Sequence, residues 1–394
     1  MPTIPITAVC GFLGSGKTTL LRRWRREEGV RDAALIVHDF SNFGFDAEIL
    51  APEEARPVRG EVVDRIAALH GRHAREDLHD SAGKALDAIA NLDPPAPLVL
   101  CESTGAARPW PLIQALTQDA RFSLRHFIVT VDALNLHRDF ADGRVLTGEV
   151  DAAADPALHR AAEVLAEQVA FASIIILTKI DTIEESVVRA QVATLQKLRP
   201  NAAVGLSSYA GLLLSHLDGT PAPDLDEQRA FADRFGLGER DPTSDDLEAL
   251  VLRDPRPFHP QRLHDACHHH LSTGLYRTKG FVWLASRPAN VLLWQQAGSQ
   301  IALEIRGTWR AEAADNPDGE LLPEEVAQMQ AMMATHHPVF GDRHNELTLI
   351  GERAACEVFL AALEEALCTD DEVEAWRQGA PFADPWPKTI RRIE

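Results

Sequence analysis

Gly11-Phe-Leu-Gly14-Ser15-Gly16-Lys17-Thr18, followed by Thr19, has the spacing GxxxxGK[ST]. Glycines at those positions let the backbone turn tightly, so that several N–H groups point at one anion. The helix expected to start at Lys17 adds the positive end of its dipole. The Lys17 ammonium reaches β- and γ-phosphates, and the Thr18 hydroxyl is placed to ligate Mg²⁺. A second group is Leu98-Val-Leu-Cys-Glu102-Ser-Thr-Gly105, an apolar run ending in an acid and a glycine. Glu102 is read as the acid that completes the Mg²⁺ shell opposite the loop, and the Gly105 N–H as a γ-phosphate sensor. The third is Thr178-Lys179-Ile-Asp181 after the run Ile174-Ile-Ile-Leu177. The Asp181 carboxylate can accept two hydrogen bonds from guanine N1 and N2, a donor pair that adenine lacks, while the Lys179 stem lies over the base. Together the three groups call for GTP with Mg²⁺.

Such residues need strand ends and helix starts to hold them. Non-alternating apolar runs at 4–10, 33–40, 97–102, 126–132, 174–178 and 202–207 read as strands buried on both faces. Helical periodicity at 17–28, 110–117, 158–170 and 184–198 falls between them. The class is α/β: a doubly wound, mainly parallel sheet forming a P-loop GTPase domain over 1–220. Residues 221–256 are rich in Asp, Pro and Gly and read as a linker with one short helix near 226–235. A smaller α+β domain is expected over 257–370, with helices at 260–271, 323–333 and 352–367 and strands at 280–285, 299–305 and 346–350. Residues 371–394 read as an irregular tail.

Composition narrows the partners. The 394 residues carry 39 Lys+Arg against 59 Asp+Glu, a net charge of −20, which disfavours nucleic acid. No apolar run reaches the roughly 18 residues needed to span a bilayer, and MPTIPITAVCGFLG shows neither a basic segment nor a cleavage site. A cytoplasmic location is therefore expected. The 5 Cys are widely spaced, with no CxxC pair, which excludes a zinc site built from neighbouring thiolates.

GFLGSGKTTLL, ESTG and TKID in this order resemble the CobW-type GTPases, which place Glu where most P-loop GTPases have Asp in the third guanine-nucleotide box. VHDFSNFGFDAEIL resembles that family's switch segment, and GLYRTKGFVWLA with DRHNELTLIGE resembles its C-terminal domain, so the likeness covers nearly the whole chain. It implies a slow GTPase acting as a metallochaperone, with zinc or cobalt as cargo, a client metalloprotein as partner, and a homodimer as one source of a missing arginine. By the same likeness Gly11, Gly14, Ser15, Gly16, Lys17, Thr18 and Thr19 bind phosphate and Mg²⁺. Glu102 and Lys17 are the catalytic groups, Gly105, Thr178, Lys179 and Asp181 complete the nucleotide site, and Asp39 is either a Mg²⁺ or metal-responsive acid in the first switch or a plain strand-end carboxylate. Arg72 and Arg75 are candidates for stabilising the transferred phosphoryl group.

Two departures bear on function. The family's CxCC motif is absent: the matching stretch is Ala68-Leu-His70-Gly-Arg-His73-Ala-Arg75-Glu-Asp-Leu78. His70, His73 and His79 can replace the thiolates, or simply line a solvated helix face. Thr178 stands where Asn is common, with a shorter reach toward the P-loop. Among the 16 His, His264 and His268 lie one helical turn apart with no evident third ligand and read as solvated, as do His336, His337 and His344. A nucleotide switch without metal transfer, and a P-loop ATPase or small-molecule kinase, are the competing functions; TKID disfavours the last.

Overall fold

The computed structural model describes residues 3–38, 66–69, 75–151, 155–234, 237, 247–271, 274–297, 300–315, 324, 326–327, 331, 336–387 and 391–392. The chain divides into two compact units, Met1–Asp245 and Asp246–Glu394.

The first unit follows the apolar runs. Strands β1 (Ile4–Gly11), β2 (Ala34–His38), β3 (Ile66–Leu69), β4 (Val99–Glu102), β5 (Phe122–Asp132), β6 (Ile174–Thr178) and β7 (Ala203–Ser207) form one sheet in the order β3-β2-β4-β1-β5-β6-β7. Every neighbouring pair is parallel. Parallel strands need crossovers, and these are α1 (Lys17–Trp24), α2 (Arg75–Ala90), α3 (Pro109–Leu116), α4 (Ala133–Arg138), α5 (Pro156–Phe171) and α6 (Glu185–Leu198). Leu20, Leu21 and Trp24 of α1 pack against Val9, Leu35, Leu100 and Ile176 of the sheet. Fully buried aliphatics such as Ile176 are worth about 1.5–3 kcal/mol each, which explains why β2 and β6 have no polar alternation.

The sheet order matters for function. β1 lies between β4 and β5, so chain direction across the sheet reverses beside the P-loop strand. In open α/β sheets, ligands bind outside the carboxyl ends of the strands at such a point. The register brings Val9 opposite Glu102, Gly11 opposite Thr130, and Asp132 opposite Thr178.

The second unit is an antiparallel sheet of β8 (Leu247–Asp254), β9 (Leu275–Val282), β10 (Asn290–Ala297), β11 (Gln300–Thr308) and β12 (Asn345–Glu352), in the order β11-β10-β9-β12-β8, with β13 (Arg391–Arg392) added in parallel beside β11. Two of its helices, α8 (Pro260–His270) and α10 (Arg353–Ala366), place Leu263, Phe359 and Leu363 in a core with Trp294 and Leu349. A short α9 (Arg310–Asp315) precedes β12 in the chain.

Three sequence expectations need correction. The supposed linker 221–256 carries the short helix expected near 226–235, but that helix belongs to the first unit, and the segment's other described element is a strand. Helix α7 (Leu225–Arg234) docks on the first unit through Gln228, which donates to Phe171 O at 2.7 Å, and through an edge contact between Phe231 and Phe171. Its far end is β8, an edge strand of the second sheet. The supposed tail begins with α11 (Asp370–Arg377), capped by a Thr369–Glu372 box, and Trp386 is buried with its Nε1 donating to Pro260 O at 3.1 Å. Proline content misled here, because a few apolar anchors outweigh it. The strand β10, whose Val291-Leu-Leu-Trp294 run lacks polar alternation, was also missed. The helix expected at 323–333 falls mainly outside the described residues. Among the described residues no helix is long and apolar enough to cross a membrane.

Candidate functional site

β1 ends at Gly11, and the chain turns through Phe12–Ser15 into α1. Gly14 and Gly16 have φ of 76° and 92°, the left-handed region that other residues enter at a cost. Gly16 is the N-cap of α1 and has no side chain to occupy the first-turn N–H groups, so they stand ready for an anion. Lys17 is buried, and its Nζ donates to Gly11 O at 2.8 Å and Phe12 O at 3.1 Å. The ammonium therefore lies back over its own loop, within the cradle. Ser15 Oγ meets Thr130 Oγ1 at 2.7 Å, and Thr130 donates to Cys10 O at 3.2 Å, so β5 pins the start and middle of the loop. Thr19 faces outward on α1.

Thr18 and Glu102, 84 residues apart, meet directly: Thr18 Oγ1 donates to Glu102 Oε1 at 2.5 Å. Glu102 is buried at the end of β4. A hydroxyl and a carboxylate converging beside the loop form an all-oxygen pair suited to Mg²⁺, a hard cation. Gly105 follows three residues later, packed so closely that a Cβ there would lie 2.6 Å from the Leu13 side chain and 2.7 Å from its Cα. The segment is held from the other side by α5: Gln168 donates to Gly105 O at 3.2 Å and Ala107 O at 3.0 Å, and Glu167 pairs with Arg108 at 2.6 Å.

The guanine-side residues end β6. Thr178 Oγ1 donates to Ser15 O at 2.9 Å, with Val131 O at 3.2 Å. The shorter Thr thus still braces the P-loop, by its own hydroxyl. Lys179 sits at φ 55°, and its Nζ bonds Asp132 Oδ2 at 2.5 Å. Asp132 in turn caps α4, accepting from Leu134 N and Asn135 N. Asp181 is exposed in the following helical turn, open to a ligand. Thr130 and Asp132 were missed in the sequence. The IVTVD run of β5 held them, but their role comes from strand register, which spacing along the chain does not reveal.

Asp39, His70, Arg72 and His73 lie outside the described residues, and so does most of the expected switch segment. His79 is exposed on α2. His337 and His344 serve local turns: His337 Nδ1 accepts from Val339 N and Phe340 N, and His344 Nδ1 bonds Asp342 O at 2.8 Å. All five cysteines, Cys10, Cys101, Cys267, Cys356 and Cys368, are free and buried. Burial raises the thiol pKa of each, to about 12 for Cys267, Cys356 and Cys368. Such thiols stay protonated and are poor metal ligands. Among the described residues no three His, Cys, Asp or Glu side chains gather around one point.

Comparison with known proteins agrees with this geometry. Residues 5–205 match the family described as CobW/HypB/UreG, nucleotide-binding domain, and residues 247–367 match the cobalamin synthesis protein cobW C-terminal domain. The chain is 24% identical over 402 residues to zinc-regulated GTPase metalloprotein activator 1 of Dictyostelium discoideum, covering 95% of this chain and 82% of that protein. It is 25% identical to the zinc chaperone CobW of Pseudomonas aeruginosa, over 82% of this chain and 88% of that protein. A zinc chaperone of Mycobacterium tuberculosis is 31% identical over 57% of this chain and 54% of its own length. With a P-loop, a Thr–Glu oxygen pair and a TKxD strand end on one sheet edge, and both family models matched in order, the chain belongs to the CobW/HypB/UreG nucleotide-binding family and carries the CobW C-terminal domain.

Proposed function

We propose that this protein is a slow, Mg²⁺-dependent GTPase whose nucleotide state governs delivery of zinc to a client metalloprotein in the cytoplasm. The observation that carries the nucleotide part is the meeting of Thr18 with Glu102 beside a loop braced by Thr178 and Thr130. The residues fit the ligand: the loop amides and Lys17 take the phosphates, Thr18 and Glu102 hold Mg²⁺, and Asp181 reads the guanine edge. Mg²⁺, when bound, neutralises charge on the phosphoryl oxygens. Lys17 adds a fixed positive charge at the transferring group, worth most where water is excluded. The Gly105 N–H lies in a segment packed against Leu13, so a γ-phosphate contact there is passed to α5 through Gln168 and the Arg108–Glu167 pair.

Zinc as cargo rests on the names of the relatives and on the family. The buried cysteines favour a second reading, a nucleotide switch that moves a protein client without metal, because the thiolates that would hold zinc tightly are absent. One experiment separates the two. Zn²⁺ and Co²⁺ are titrated into nucleotide-free, GDP-loaded and GTP-analogue-loaded protein by calorimetry. A metal affinity that changes at least about tenfold with nucleotide state, a coupling in the ordinary allosteric range, supports delivery. Indifference across all three states retires it and leaves the switch. Lys17→Ala is expected to abolish GTP turnover in a phosphate-release assay, and wild-type turnover in that variant would remove the hydrolytic reading altogether.

A further inference from the structure

The second unit carries two side chains whose geometry suits a metal ion. Residues four apart on a helix share a face, and on α8 these are His264 and His268. Their Nε2 atoms are 3.2 Å apart. Their ring centres are 4.3 Å apart, only 1.1 Å more than the nitrogens. The two Nε2 atoms share a hydrogen bond, and a divalent ion between them would take the place of its proton. Zinc–nitrogen bonds of about 2.0–2.1 Å at a tetrahedral angle put two ligating nitrogens about 3.3 Å apart. A square-planar cis pair, the geometry of Cu²⁺ or Ni²⁺, would bring them to about 2.9 Å. The hydrogen-bonded spacing of 3.2 Å is nearer the tetrahedral value than the square-planar one.

The surroundings agree. His264 Nδ1, behind the ring, is 3.7 Å from Asp265 Oδ1 and has no hydrogen-bond partner among the described residues; a carboxylate behind a metal-bound imidazole orients it and raises its basicity. His268 lies in the last turn of α8, where the helix dipole favours a cation. Cys267, between them in sequence, is buried in the core and is not a ligand.

We propose that His264 and His268 form a two-point site for a divalent tetrahedral cation, Zn²⁺ in the first instance, with water or a donor from a receiving protein completing the shell. Two protein ligands make the ion easy to release, which suits transfer better than storage. The site stands on this geometry and not on GTP hydrolysis. Metal bound here but indifferent to nucleotide would remove the coupling argued above and keep the site.

The test uses the full chain, stripped of metal and free of nucleotide. Co²⁺ is titrated while visible absorption is recorded, and Zn²⁺ is then added in competition. Wild type is expected to bind one equivalent that H264A/H268A lacks, and either single substitution weakens that equivalent at least about tenfold, one ligand of a chelate being lost. Trp386, whose ring lies 5.6 Å from that of His264, supplies a second readout: Co²⁺ should quench fluorescence in wild type, and W386F should remove that quenching while keeping the bound equivalent. Equal stoichiometry and affinity in wild type and H264A/H268A overturns the proposal. Should the double variant fail to fold, zinc-edge absorption of the wild type decides, and a spectrum without imidazole scattering overturns it.

Discussion

Thr178→Val tests whether the P-loop is held by the hydroxyl at the end of β6. Thr178 is 7% exposed, and valine nearly reproduces its shape. The substitution removes one donor and leaves Ser15 O, at 2.9 Å, facing a methyl group. A hydroxyl has one proton to give, so the longer contact to Val131 O, at 3.2 Å, is the minor share. Val131 also lies in the β5–β6 ladder, whereas Ser15 sits in the loop between two glycines of positive φ. The net worth of one such bond is about 0.5–1.5 kcal/mol, and a buried acceptor left unmet costs about 1–3 kcal/mol. Because the loss falls on the loop, it should emerge mainly in ligand affinity. At about 1.4 kcal/mol per factor of ten, the GDP dissociation constant should rise roughly 5- to 150-fold. Calorimetry with GDP and a non-hydrolysable GTP analogue measures this, alongside urea unfolding of the nucleotide-free protein. Thr178→Ser keeps the donor and should bind nearly as wild type does. A folded Thr178→Val protein whose affinity stays within about twofold of wild type would refute the bracing argument, because the unmet acceptor predicts a larger loss.

Other substitutions address the neighbouring contacts. Glu102→Gln keeps an acceptor for Thr18 but removes the charge, so Mg²⁺-dependent hydrolysis should fall about 10²- to 10³-fold while Mg²⁺-free nucleotide binding persists; steady-state turnover close to wild type would argue against its role. Gly105→Ala pushes a Cβ to 2.6 Å from Leu13, and such overpacking should cost about 1–3 kcal/mol in denaturant unfolding. An unchanged midpoint would show that the approach is not tight. His126 supplies a pH test. Burial, reinforced by the Arg125 charge, lowers its pKa from 6.5 to about 4. As pH falls from 6.5 toward 4 the unfolded chain takes up a proton that the fold refuses, so stability drops by up to about 3 kcal/mol. His126→Gln should flatten that part of the stability–pH curve, and an unaltered slope would assign acid sensitivity elsewhere.

The parallel sheet was legible because strands buried on both faces cannot alternate, and 4–10, 174–178 and 202–207 differ from the observed strands by a residue or less at either end. β3 was not legible: Ile66-Ala-Ala-Leu69 is short and helix-like in composition, and only its place beside β2 makes it a strand. The P-loop, Glu102 and the TKID turn were legible because their chemistry demands local spacing. Thr130 and Asp132 were not, since each acts on a residue more than 40 positions away in the chain. For His264 and His268 the shared face was legible, but the hydrogen bond between their Nε2 atoms depends on side-chain rotamers, which no spacing records.

The cysteines constrain what any metal chemistry here can be. Cys10 and Cys101 lie on the neighbouring strands β1 and β4, Cys101 opposite Ala8 and Cys10 two residues further along β1, where their small apolar bulk serves the sheet, and Lys17 only partly offsets the effect of burial on Cys10. Cys356 and Cys267 fill the core beneath α10 and α8. Presenting any of them to zinc would mean pulling a strand or a helix from its core, at a cost far above the ordinary switching energy of about 1–3 kcal/mol. Ligands must therefore come from imidazole, carboxylate or hydroxyl groups near the surface. Such sites hold zinc less tightly than thiolates and discriminate less against competing divalent ions. A carrier of this kind cannot rely on affinity alone to choose its cargo. It must choose by geometry, for which the His264–His268 spacing of 3.2 Å is suited, or by the partner that supplies the remaining ligands. The expected signature is selectivity that sharpens when a client is present, because the shell is then completed by donors whose spacing admits one coordination geometry and excludes the others.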